Sequence, residues 1–149
     1  MVIKRKNDKS IEDIIKDFID DELLLESYTK INNLSSDNYD AKYTIRLGKR
    51  INKNLEIILQ SEDGLNKFIE LLGNNNPFIR FISARFLYPI LPNKTIKIMI
   101  EYKNAEKSTL EKHNIENIIN GLKSNQPVFM NQFKKLYDTE DLESLNREK

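Results

Sequence analysis

Lys42, Arg46, Lys49 and Lys53 follow one another at spacings of four, three and four residues, with Arg50 beside them. On an α-helix this spacing places the cations in one stripe along a single face. A row of ammonium and guanidinium groups holds carboxylates or phosphates, and a guanidinium can grip either through two parallel N–H bonds. Arg80 and Arg85 lie on a later helix and would join the same groove if alternate helices line one surface. The candidate partner-binding set is therefore Lys42, Arg46, Lys49, Arg50, Lys53, Arg80 and Arg85. The plain alternative is a solvated helix face, with Arg80 tying a turn.

Other chemistry finds little support in the residues. The chain has no cysteine and one histidine, His113, which leaves no thiolate metal site, no disulfide and no histidine cluster. His113 stands beside Lys112 and Glu116 with no nucleophile pattern, glycine-rich phosphate loop or metal spacing near it. Carboxylates crowd the segment from Glu12 to Glu26 (Glu12, Asp13, Asp17, Asp20, Asp21, Glu22, Glu26), which reads as a solvated acidic face or a second binding surface. The expectation is a protein without catalytic activity, metal or cofactor.

At 149 residues, with 39% hydrophobic and 32% charged residues, the chain can bury a core without staples. A net charge of +1 gives no long-range field, so any electrostatic recognition must be local. Met1–Lys9 forms a basic arm with no apolar run behind it that would make a signal sequence, because Asp13, Lys16, Asp17 and Asp20 interrupt the segment that follows. No segment is long and apolar enough to span a bilayer, and the cytoplasm is the expected location.

The elements that position the stripe are read from the helical period. Apolar residues at Ile11, Ile14, Ile15, Phe18, Ile19, Leu24, Leu25, Tyr28 and Ile31 predict a first helix from Ser10, its cap, to about Leu34. A turn at Leu34–Asn38 leads to a second helix from Tyr39 to about Gln60. A third starts at Ser61–Asp63 and stops at Gly73, where a left-handed residue is expected. The fourth opens at Pro77 and is apolar nearly all round, which places it at the centre of the core. A fifth spans about Pro92–Lys103, a sixth Glu106–Leu122 and a seventh begins at Pro127, with a short turn near Leu142 and Leu145. No segment alternates like a strand.

The expected class is all-α: residues 10–138 form a single helical domain, residues 1–9 a basic arm and residues 139–149 an acidic tail. Six helices fall into three antiparallel pairs with the seventh as a cap, the layout of an α-solenoid. Within it, Gly64–Leu72, the turn Gly73–Pro77 and Phe78–Leu87 resemble one HEAT repeat of the armadillo-like kind. Ile79-Arg80 matches that family's aliphatic-Arg pair, Ser83-Ala84 its small residues and Leu87 its closing leucine, while Asn stands where the family commonly has Asp in the turn. The layout from about residue 37 to 123 is similar to small bacterial HEAT-like proteins of unknown function, and the resemblance implies a scaffold that binds protein. By analogy the expected partner is a protein with an acidic or mixed surface, such as a toxin neutralised by an immunity protein. The rival expectation is nucleic acid held along the basic stripe.

Overall fold

The computed structural model describes residues 9–31 and 40–149, and every regular element among them is helical. Seven α-helices follow one another: α1 Ile11–Ile31, α2 Ala41–Leu59, α3 Glu62–Ile69, α4 Pro77–Phe86, α5 Pro92–Ala105, α6 Thr109–Lys123 and α7 Pro127–Leu136. Two 3₁₀ turns, Glu70–Gly73 and Leu142–Leu145, complete the list. None of these helices is long and apolar enough to cross a membrane. The chain divides into two units, Met1–Leu65 and Asn66–Lys149.

In the first unit α1 and α2 pack antiparallel. Ser10 caps α1 as its sequence predicts, its Oγ accepting from the Asp13 N–H at 3.1 Å. The expected turn at Leu34–Asn38 lies outside the described residues, and the cap of α2 is Asp40. Its carboxylate accepts from the N–H groups of Lys42 and Tyr43, satisfying two of the donors that a helix start leaves orphaned. The Asp40 N–H in turn donates to the Tyr28 hydroxyl at 2.7 Å, which ties the start of α2 to α1. Tyr28 and Tyr43 sit ring against ring at 4.8 Å between centroids. Ile15 and Phe18 of α1 and Leu47, Ile51, Leu55, Ile58 and Leu59 of α2 are buried.

In the second unit α4, α5, α6 and α7 pack in sequence, each on the next, and the Glu70–Gly73 turn packs on α4. The sequential antiparallel packing of helices matches the sequence reading, with α5 against both α4 and α6. Asn76 caps α4 by accepting from the Phe78 N–H at 2.9 Å, with Pro77 at the first helical position. As its all-round apolar sequence implies, α4 is deeply buried: Ile79, Phe81, Ile82, Ala84 and Phe86 are core residues. The small Ser83 is buried with them, its hydroxyl turned back to the Ile79 carbonyl.

Several boundaries differ from the sequence reading, and two have a clear local cause. α6 starts at Thr109, three residues inside the expected start at Glu106, because Ser108 caps it, its Oγ accepting from the Glu111 N–H, while the Ser108 N–H donates to Glu106 Oε1 at 3.0 Å. The left-handed residue expected at Gly73 is absent, and no glycine among the described residues has positive φ. A 3₁₀ turn tightens the end there, and Asn74 leaves it extended at φ −63°, ψ 145°. The left-handed caps fall instead on Asn125 (φ 55°) after α6 and Asp138 (φ 50°) after α7. Both close Schellman motifs, through Gln126 N–H to Gly121 O and Thr139 N–H to Lys134 O.

Candidate functional site

The orientation of the basic stripe follows from what α2 buries. Leu47, Ile51, Leu55, Ile58 and Leu59 occupy one side of the helix, and successive residues rotate by about 100°. Lys42, Arg46, Lys49 and Lys53 therefore fall on the opposite side, and all four are exposed. None of them makes an ion pair among the described residues. Lys53 lies eleven steps along the helix from Lys42, so the row extends about 16 Å.

Arg50 behaves differently. It sits at the flank of α2, where its guanidinium donates twice to Asp21 on α1: Nε to Oδ2 at 2.9 Å and Nη2 to Oδ1 at 2.8 Å. This pairing holds the Arg50 pKa above its ordinary value, through the hydrogen bonds first and the Asp21 charge second. Arg50 thus fixes two helices together and has its anion already.

The acidic face expected on α1 is broken up by the same packing. Asp21 and Glu22 are buried. Asp17 takes an ion pair from Lys9 at 2.6 Å, which raises the Lys9 pKa. Glu12, Asp13 and Asp20 remain exposed, with Lys16 between them.

Arg80 and Arg85 belong to the second unit. Arg80 Nη1 donates to the carbonyls of Asn74 at 2.7 Å and Asn75 at 3.3 Å, so it ties the turn that precedes its own helix. Arg85 is half-buried between aromatic rings, its Cζ 5.5 Å from the centre of Phe86 and 5.8 Å from that of Phe129. His113 is exposed on α6. Among the described residues no cluster of acidic residues or histidine could hold a metal ion. One cavity of about 110 Å³ lies between Pro77, Arg80, Ile98, Glu101, Tyr102 and Ala105.

Sequence reasoning missed two apolar residues beside the stripe. Ile45 and Ile57 are 56% and 43% exposed. Ile45 lies four residues from Lys49 and Ile57 four from Lys53, so each borders the row of cations on the helix surface. The available signal was that neither fits the buried period of α2, although both are strongly apolar. The chain matches no protein-family model, no curated protein and no solved structure.

Proposed function

We propose that this protein is a non-catalytic binding module whose outward face of α2 docks on an acidic surface of a partner protein. The observation that carries the reading is the row Lys42, Arg46, Lys49 and Lys53, exposed and without internal counter-charges among the described residues, bordered by the exposed Ile45 and Ile57. Protein interfaces combine an apolar centre with charged groups that steer and orient the partner. Phosphate backbones require the charges alone, so the two isoleucines favour protein over nucleic acid. A HEAT-like scaffold accords with this use: the segment that resembles such a repeat has its turn bound by Arg80 and its small Ser83 and Ala84 fully buried.

The test compares the native chain with a variant carrying Lys42, Arg46, Lys49 and Lys53 changed to Ala, each immobilised and exposed to lysate with and without nuclease treatment. A single protein retained by the native chain, lost from the variant and also lost from an Ile45→Ser, Ile57→Ser variant supports the reading. Retention by all three forms overturns it. Nuclease-sensitive retention of nucleic acid, with steep dependence on salt and no dependence on the isoleucines, would replace it with the rival reading.

A further inference from the structure

The start of α5 lacks a cap of its own. Leu91 precedes it and makes no side-chain hydrogen bond, and Pro92 has no N–H to offer. The first free donors, the N–H groups of Asn93 and Lys94, are taken by a side chain more than fifty residues away: Glu148 Oε1 accepts from Asn93 at 2.6 Å and Oε2 from Lys94 at 3.0 Å. Arg147 reinforces the contact, its N–H donating to Ile90 O at 2.8 Å and its Nη1 to Asn66 Oδ1 at 3.1 Å. Both carboxylate oxygens are therefore seated at the positive end of a helix.

Beside this seat runs an apolar groove of about 170 Å³. Tyr88, Pro89, Pro92, Met130 and Phe133 form its floor and sides, and Leu142, Glu143 and Asn146 of the C-terminal segment close it. The closing segment is weakly held, since none of residues 138–149 is buried and its anchors are polar contacts close to water. It leaves α7 through Asp138, a non-glycine residue in the left-handed region.

We propose that residues 142–148 are an intramolecular ligand: a strap that opens independently of the core, and whose seat at the α5 N-terminus and groove accepts an extended, carboxylate-bearing segment of a partner protein in its place. The strap shows the chemistry required of the competitor: Leu142 lines the groove together with Tyr88 and Phe133, and the Glu148 carboxylate follows six residues on. Tethering keeps the strap at an effective concentration on the order of millimolar, so the closed chain excludes weak competitors. The inference does not depend on the α2 stripe, and neutralising that stripe leaves it untouched.

The experiment uses the full chain and its Glu148→Gln variant, in which the new NH₂ group faces a backbone donor. Hydrogen exchange is followed at Asn93, Lys94, Ser144 and Arg147, with Leu87 as the core reference. In the native chain the strap amides should be at least about a hundredfold less protected than Leu87. In the variant, Asn93 and Lys94 should exchange about tenfold faster with Leu87 unchanged. A labelled peptide of residues 140–149 should bind the variant at least about tenfold more tightly than the native chain, and the same peptide with Glu148→Gln should lose that advantage. Strap amides as protected as Leu87, loss of protection at Leu87 in the variant, or equal or absent peptide binding by the two proteins would each overturn the proposal.

Discussion

Arg50 grips Asp21 with two parallel N–H bonds of 2.9 and 2.8 Å, and the two partners differ sharply in exposure. The arginine side chain is 61% exposed, whereas that of Asp21 is 10% exposed. Taking away Arg50 leaves a carboxylate buried without its main donor, while taking away a stripe lysine removes only a solvated charge. Arg50→Ala should lower stability by about 1–3 kcal/mol, the cost of an unsatisfied buried charged acceptor. Lys53→Ala should change stability by less than about 0.5 kcal/mol. Urea unfolding of both variants checks the split, and equal midpoints would mean that Asp21 has adequate solvent or other donors.

How far the sequence discloses this molecule depends on which interactions are local. Caps that sit at the start of their own helix, such as Ser10, and prolines at first helical positions, such as Pro77, were legible because their partners lie within a few residues. The basic stripe was legible as a row because its spacing and the buried face of α2 follow one period. That Arg50 leaves the row was not, since its partner Asp21 lies 29 residues earlier on another helix. For the same reason the turn-binding task of Arg80 appeared only as an alternative, and the cap of α5 by Glu148 did not appear at all. The Gly73 expectation failed for a different cause. Glycine is the commonest left-handed cap, but the two such caps here are filled by Asn125 and Asp138, the residue types that tolerate that region next best.

Tyr137 carries a pH dependence. Its hydroxyl donates to Phe86 O at 2.7 Å inside the core, and burial raises its pKa well above the ordinary value near 10. In the unfolded chain the phenol ionises near its ordinary value, whereas in the folded chain it stays protonated. The folded state therefore binds more protons above pH 10, and stability is complete below that point and falls as pH rises beyond it. The contribution of this group should decline by about 1.4 kcal/mol per pH unit. Tyr137→Phe should cost about 1 kcal/mol at neutral pH through the lost hydrogen bond and flatten the alkaline decline. Thermal unfolding between pH 8 and 11.5 checks both, and an unchanged alkaline slope in the variant would assign the dependence elsewhere.

Gly64 and Gly48 make opposite demands, although both are helical. A Cβ on Gly64, in the first turn of α3, would run into the backbone carbonyl of Ile58 near the end of α2, which cannot move without disturbing the helix end. A Cβ on Gly48, midway along α2, would meet nothing within 4 Å. The glycine at 64 is thus required by the close approach at the α2–α3 turn, while the one at 48 only lowers the helical propensity of α2. Gly64→Ala should destabilise by about 1–3 kcal/mol, in the range of overpacked sites. Gly48→Ala should stabilise by up to about 1 kcal/mol, the propensity difference between the two residues in a helix interior. Gly48 stands three and seven residues before the buried Ile51 and Leu55, on the side of α2 turned away from the stripe, so the Gly48→Ala chain should also keep whatever partner the native stripe retains, and a stabilised variant that loses that partner would count against docking through the stripe. Denaturation midpoints alongside the retention assay separate these effects, and a neutral Gly64→Ala would show that the turn after α2 relaxes more easily than its geometry implies.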